Sequence, residues 1–513
     1  MQTVYDVIVV GGGGSGLAAA VSAAEHGCDV LLLEKQPALG GTTGIAVGSF
    51  TANQTALQNT AGIADDLDAH AEDAGQFAPA DIEARNNAEL RRFFLSHTAE
   101  TLNWLSNLGL SFYGPSPEPP NRVARMHNVI PAAKAYIATL QARLLKLGGT
   151  IRCRAAVKSL HQPVDRVEGV EAVIKGGKTI SFRAKRGVVL AAGDYANAPE
   201  IIARMKGEQF ARIEGINPNA GGDGHLLAQA AGAQLLNMDV TYGPELRFIP
   251  PPGKTFHQLL PASGPIAKLM GKAMSFTPKF IIHALIKRLL VTWQHPENAL
   301  FDNGAILINQ HGQRFCDEKV WPDREIALAH QPDKQAYILL DQRLAELYSK
   351  WPNFISTAPK IAYAYVKDYL KLRPDIAISA STIDVAAESR GLSSEAIYET
   401  VKNFNRGVRG LAGDPFGRTG DAHELKGNRW ALLGPARAWF TTTEGGAAID
   451  ERLQALDEHG LHIPGLYAVG QNGLGGQILW GHGLHIAWAL TSGRLVGKVL
   501  GSEAPDADAH QLD

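Results

Sequence analysis

The chain has 513 residues and a formal net charge of -2, which is too long for one simple core and gives no reason to invoke a nucleic-acid partner. It is 45% hydrophobic with 54 glycines, the profile of a glycine-rich globular protein. Cys28, Cys153 and Cys316 lie far apart with no CxxC pair, which argues against a disulfide framework, a structural metal or a dithiol centre and suits a reducing compartment.

Val4–Val10 is a continuous apolar run rich in β-branched residues, the pattern of a parallel strand buried on both faces. It runs into Gly11-Gly12-Gly13-Gly14-Ser15-Gly16 and then the alanine-rich segment Leu17–His26, a predicted helix whose N-terminal N–H groups suit a pyrophosphate. A second strand, Cys28–Leu33, delivers Glu34, an acid placed to accept hydrogen bonds from the hydroxyls of an adenosine ribose. Strand, loop, helix, strand and acid in this order predict a dinucleotide site.

A second glycine-rich loop follows at Gly40–Gly44 and Ala46–Ser49. Residues 63–111 read as helical, Pro115–Pro120 as a loop, and Pro131–Leu147 as an amphipathic helix stopped by Gly148-Gly149. Strands are predicted at Thr150–Val157, Val167–Ile174, Thr179–Arg183 and Gly187–Ala192, with a hairpin through Lys175–Lys178. From about Thr241 the chain becomes richer in aromatic and basic residues, and α/β character resumes near Gly434 with the strand Gly465–Val469, the loop Gly470–Gly483 and a closing helix Leu484–Leu500. The expected architecture is α/β: a discontinuous Rossmann-like nucleotide domain (1–240 and 435–513) with an inserted α+β substrate-binding or capping domain (241–434). The tail Ser502–Asp513 is polar.

The start lacks a basic signal-peptide region and no apolar run reaches transmembrane length, so a cytoplasmic location is expected. Thr277–Trp293 is basic and amphipathic: Lys279, His283, Lys287 and Arg288 are set against Ile281, Ile282, Leu285, Leu289 and Trp293, after Lys268–Lys272. It reads as an ordinary packed helix, an apolar lid, or a contact with the inner face of a membrane.

These motifs, with GVVLAAGDYAN, GGDGHLLAQAAGA, NGAILINQHGQRFCDE and IPGLYAVGQNGLGG, occur in an order that resembles the FAD-dependent fumarate reductase, succinate dehydrogenase and 3-ketosteroid dehydrogenase flavoproteins nearly end to end. The resemblance implies FAD held by Gly11, Gly13, Gly14, Ser15 and Gly16, by Glu34 and Lys35 at the ribose, and by Gly41, Thr42, Thr43, Val47 and Gly48 along the path to the flavin. It extends the set to the Val157 backbone, Ala192, Gly193, Asp223, Gly470, Gln471 (where many relatives carry Glu), and Leu484, His485 and Ile486 at the last helix. Gly40–Phe50 has no histidine, so FAD is expected to be noncovalent.

The family's reaction residues are altered. Fumarate reductases use a proton-donating arginine and a carboxylate-clamping arginine, which align here with Pro322 and Trp480, and the histidine before the TxGG turn is Thr442. Bidentate arginines are what dicarboxylates need, so the resemblance leans toward the ketone desaturases. Gly483 occupies the place whose backbone N–H holds a substrate carbonyl in those enzymes, while their tyrosines fall near Pro322 and Leu479. His482, Tyr242 and Tyr113 are the candidates for proton transfer, with Tyr363 and Tyr365 further off, and Trp480 and His127 are expected at the substrate pocket. The expected reaction is α,β-dehydrogenation of an apolar, cyclic ketone such as a 3-ketosteroid or cyclohexanone-type compound, with a quinone or oxygen as acceptor. The alternatives are an ene-reductase, a fumarate-reductase-like subunit of an electron-transfer complex, and a flavin monooxygenase.

Overall fold

The computed structural model describes residues 3–253, 260–262, 264, 269–270, 273, 277–421 and 423–502, apart from the side chains of Lys279, Phe280, Ile282, His283 and Trp293. Those four expected members of the amphipathic helix (Lys279, Ile282, His283 and Trp293), with Lys268, Gly271, Lys272 and the tail beyond Ser502, thus lie outside the described residues.

The first strands and helix are β1 (Val4–Val10), α1 (Gly14–Glu25) and β2 (Val30–Glu34). Next come β3 (Ser49–Thr51), β4 (Ser111–Ser116), β5 (Met126–Ile130), β6 (Thr150–Cys153), β7 (Ala155–His161), β8 (Gly169–Ile174) and β9 (Thr179–Leu190). An eight-stranded sheet runs Gln454–Leu456, His462–Ala468, β9, β1, β2, β6, with β8 and β7 attached beside β9. β1 lies between β2 and β9, parallel to both, and Val7, Ile8 and Val9 are fully buried, as the apolar run requires. Two strands depart from expectation. Arg154, at φ 56°, interrupts the run 150–157, and β7 turns to pair antiparallel with β8. The expected strands Thr179–Arg183 and Gly187–Ala192 are one continuous β9, antiparallel to β8 in its first half and parallel to β1 in its second.

Small residues decide how the helices pack. A Cβ on Gly16 would lie 1.9 Å from the Gly11 carbonyl oxygen, so only glycine lets α1 sit this close to its own loop. The closing helix Leu484–Ser502 crosses α1 through Gly493 and Gly497, whose added Cβ atoms would fall 2.3 Å from Ser15 O and 2.6 Å from Ala19 O.

A three-stranded sheet, ordered β3-β5-β4, overlies the second glycine loop. Pro115, expected in a loop, lies within β4, with a register shift between Tyr113 and Ser116; an edge strand tolerates the lost N–H. A six-stranded sheet centred on the strand Trp430–Phe440 forms the second body, and its core also takes in Tyr195, Ile201, Ile202, Ile213 and Met238. Arg314 and Glu318 of the QRFCDE motif are buried there: Glu318 accepts from Arg314 at 2.8 Å, from Arg418 at 2.7 Å and from the Leu307 N–H at 3.1 Å. Among the described residues no helix is long and apolar enough to cross a membrane.

Candidate active site

A cavity of about 1650 Å³ extends from the glycine loop to the proline-rich segment and the second body. At one end β1, α1 and β2 bring Gly11, Gly13, Gly14 and Ser15 together with Glu34 and Lys35 on its wall. Glu34 is buried, and accepts the Gly12 N–H at 2.8 Å and the Gln36 N–H at 2.7 Å. Gly41, Thr42, Thr43, Val47 and Gly48 continue the wall, followed by Ala192 and Gly193. The Asn472 amide fixes that last pair, accepting the Ala192 N–H at 2.6 Å and donating to Gly193 O at 2.9 Å.

Gln471 donates through Nε2 to Thr442 Oγ1 and to Thr443 O, each at 2.7 Å, while its buried Oε1 has no partner. An amide oriented so firmly with one open acceptor is built to receive a further donor. Asp194 also faces the cavity, and burial pushes its carboxyl up from the ordinary aspartate range.

At the other end the turn Gly481–Gly483 meets the proline-rich segment. Glu118, 5% exposed at its side chain, accepts from both the His482 N–H at 2.8 Å and the His482 Nδ1 at 2.6 Å. The His482 ring lies deep in the molecule, yet 51% of its side-chain surface opens onto the cavity. Burial alone would lower its pKa; the Glu118 hydrogen bond and charge, with the charge of Glu245, outweigh that and raise it. Gly483 holds φ +89°, and its N–H finds no acceptor among the described residues. Tyr242 stacks on Trp480 at 5.4 Å and 25° between ring planes, and on His485 at 6.3 Å and 18°. Burial raises the Tyr242 hydroxyl well above its ordinary range, so the phenol stays neutral. Glu444 lies 2.9 Å from His485 Nε2 but off the line of a hydrogen bond.

The structure thus brings His482, Gly483, Tyr242 and Tyr113 onto one wall with Gln471, His485 and Ile486. Both residues expected at the substrate pocket lie off that wall. Trp480 is 9% exposed behind Tyr242, with Val240 and Ile478. His127 is fully buried, bonded through Nε2 to Thr55 Oγ1 at 3.0 Å, and burial drops its pKa to about 4, because its turn of β5 points into the underlying core. Gly16, Val157, Asp223, Gly470 and Leu484 also stand behind the wall: Asp223 pairs with Lys35 at 2.5 Å, and Gly470 packs on Ser15. Tyr363 packs on Trp351 and Phe354, and Tyr365 on Lys287 and Lys367.

Three polar residues of the site carried no sequence motif: Glu118, Glu245 and Arg247. Glu245 and Arg247 alternate on the strand Glu245–Phe248, a period-two signal that puts both on one face. Arg247 lines the cavity but is engaged by Glu245 at 2.5 Å, and Arg373 is engaged by Asp375 and by the carbonyls of Val291 and Ile249. Arg247, with burial opposing it, holds the Glu245 carboxyl down at about 2. Arg324, beside the expected proton-donor position, is buried against Glu325 and does not reach the cavity. Leu285, Ile286 and Leu289 of the helix Lys279–Trp293 face the cavity, while Lys287 pairs with Asp368 at 3.3 Å.

The model of the family described as "FAD binding domain" matches residues 6–260 and 267–478. The chain belongs to this FAD-binding family. Among its relatives, a fumarate reductase (cytochrome) of Shewanella frigidimarina is 26% identical over 503 residues, 96% of this chain and 76% of that protein. A vinyl phenol reductase of Lactiplantibacillus plantarum is 26% identical over 513 residues, 96% of each chain. The open conformation of a flavocytochrome c3 fumarate reductase superposes with TM-score 0.71 at 23% identity, covering 97% of this chain and 78% of that one. A 3-ketosteroid Δ1-dehydrogenase from Sterolibacterium denitrificans gives 0.63 at 18%, covering 98% and 100%; these two likenesses establish the fold.

This member of the FAD-binding family is an FAD-dependent oxidoreductase. Its residues fit the cofactor: the glycine cradle leaves no room for a Cβ at Gly16, Glu34 is held for a ribose, and Gln471 Oε1 stands open. Replacing Gln471 by Leu removes that acceptor and leaves Thr443 O without its partner. FAD affinity is expected to fall roughly tenfold, about 1.4 kcal/mol, and Gln471→Glu to keep most of it, read as flavin retained through desalting.

Proposed function

We propose that this flavoenzyme exchanges two hydrogens across a carbon–carbon bond conjugated to the carbonyl of an apolar, ring-bearing substrate, such as a 3-ketosteroid or cyclohexenone-type compound. The observation that carries this reading is the unengaged Gly483 N–H in a cavity that Tyr242 also lines, where Arg247 and Arg373 are already paired and Arg288 is the third lining arginine. A dicarboxylate clamped by two guanidiniums would need at least one of Arg247 and Arg373 released from its partners, at a cost of several kcal/mol. A neutral carbonyl needs one aligned donor.

Bound FAD supplies the two-electron step, taking or giving a hydride. The Gly483 N–H polarises the substrate carbonyl and so acidifies its α-carbon. Tyr242, backed by Trp480, supports the substrate ring. His482 moves the proton at Nε2, its Nδ1 being committed to Glu118. The N-terminus of the helix Leu484–Ser502 would favour negative charge on a cofactor held against it. Leu285, Ile286 and Leu289 keep water from the far wall and give a lipophilic molecule an apolar approach.

Anaerobic mixing of the oxidised enzyme with cyclic ketones and of the dithionite-reduced enzyme with the matching enones tests the reading, with succinate and fumarate as comparison. Absorbance changes at the flavin band with ketone or enone are expected; reaction with the dicarboxylates alone would overturn it. Tyr242→Ala is expected to raise the enone KM about tenfold or more by losing a stacked ring, and Tyr242→Phe to preserve it, since the hydroxyl is given no chemical role.

A further inference from the structure

We propose that Glu118 is a positioning residue that fixes His482 as the proton donor for reduction of an activated carbon–carbon double bond, holding its Nδ1–H so that Nε2 faces the cleft. This rests on the functional reading above and assigns it a working direction, reduction.

The geometry is specific. One oxygen, Glu118 Oε1, takes both the backbone N–H and the ring Nδ1 of His482, at 2.8 and 2.6 Å, which fixes backbone and χ angles together. The other, Oε2, is buried without a partner, so the carboxylate keeps its charge for the imidazolium rather than sharing it. No other carboxylate bonds this ring among the described residues, and Nε2 has no protein partner there. Glu118 comes from the loop after β4 and His482 from the turn before the last helix, so the pair joins segments 364 positions apart.

Charges around the ring favour the same state. Glu245 faces it from the strand Glu245–Phe248 and reinforces the positive form; Arg247 on that strand opposes it. His295 lies farther out, held below its ordinary range chiefly by burial, and so adds no charge at neutral pH. Tyr242 stays neutral, and His485 faces Glu444. With its pKa raised, His482 holds its proton to higher pH than a free histidine does. A histidine charged at working pH gives a proton; abstraction from a ketone α-carbon needs it neutral.

The step balances as follows. A hydride carried by reduced FAD forms the new β C–H bond, the π bond opens toward the carbonyl held by Gly483, and the His482 Nε2 proton forms the α C–H bond. His482 is left neutral and regains its proton from solvent. Two equivalents of an external one-electron donor of the viologen type, with one proton from solvent, would restore the reduced cofactor.

The test measures cyclohexenone reduction by the holoenzyme with reduced methyl viologen between pH 5.5 and 9.5, for the native protein, Glu118→Gln, Glu118→Asp and His482→Gln. The native kcat is expected to fall only on the alkaline side, above the ordinary histidine value. Glu118→Gln should move that fall at least about one pH unit to lower pH and cost tenfold or more in kcat at pH 8, with little change in KM. Glu118→Asp should recover most of the rate, and His482→Gln should lose the alkaline limb altogether. A Glu118→Gln profile scaled down equally at every pH, or not shifted, would overturn the proposal in favour of a loop tether. Ring 15N NMR of the histidines, with the His482 signal assigned from His482→Gln, reads the same shift without turnover. If the native enzyme reduces no enone, the functional reading fails; an unshifted His482 titration in Glu118→Gln fails the Glu118 assignment separately.

Discussion

Gly16→Ala is expected to give a protein that purifies without FAD. The added methyl would sit 1.9 Å from the Gly11 carbonyl oxygen, well inside contact distance, and both atoms belong to backbone that cannot rotate away. Gly11 itself has no slack: it holds φ +113°, and a Cβ there would lie 2.3 Å from Ala191 O. Relief must come from lifting the loop off α1, which moves the very N–H groups that would receive the pyrophosphate. Overpacking of this kind costs about 1–3 kcal/mol in a core that can adjust, and more where backbone meets backbone. The ratio of flavin to protein absorbance after gel filtration is the measurement. A yellow Gly16→Ala protein with native flavin content would show that the loop has freedom its packing denies.

Glu318→Ala carries the second large effect, on stability rather than cofactor. The Glu318 carboxylate is fully buried and answers two guanidiniums and one backbone N–H. Removing it leaves Arg314 with Asp414, Arg418 with Asp421, and the Leu307 N–H without an acceptor. Breaking a buried ion pair by deleting one partner costs about 3–5 kcal/mol. A drop in Tm of roughly 3–5 °C is expected by differential scanning fluorimetry. Its sensitivity should be confined to folding: urea unfolding should shift, while the flavin absorption of the surviving folded fraction should match the native spectrum. A Tm within about a degree of native would mean that the remaining carboxylates suffice.

Glu318 also shows what a motif can conceal. The QRFCDE segment resembles a stretch that precedes a reaction residue in fumarate reductases, yet here its Arg and Glu are a structural knot well away from the cavity wall. The nucleotide half was legible because its determinants are local: apolar runs, glycines at fixed spacing and an acid at a strand end appear within the first 34 residues. Gln471, His482 and Gly483 were legible for a related reason, since a glycine-rich turn before a long helix is a contiguous signal. Glu118 was not. Its importance arises only when a proline-rich edge segment, whose own composition predicts a plain loop, is laid beside a turn 364 residues later. Trp480 and His127 failed in the opposite sense. Each sits next to a residue that reaches the cavity, but side-chain direction alternates in strands and turns, so neighbours in sequence face opposite ways. The fusion of two predicted strands into β9 has the same origin, because an exchange of partners from β8 to β1 along one strand leaves no mark in hydropathy.

The stitch between Thr51 and the turn at His482 and Gly483 has a consequence for biosynthesis. Thr51 Oγ1 donates to His482 O at 2.7 Å, and the Thr51 N–H reaches Gly483 O at 3.4 Å, across 431 positions of sequence. During translation the strand that carries Thr51 emerges 431 residues before the turn that completes the reaction end. At about 5–20 residues per second, that delay is roughly 20 to 90 seconds. Throughout it the nascent chain presents an apolar half-cleft with no opposing wall. Chaperone occupancy in that interval, and the free FAD concentration when the turn emerges, therefore bear on how much holoenzyme a cell obtains from each transcript.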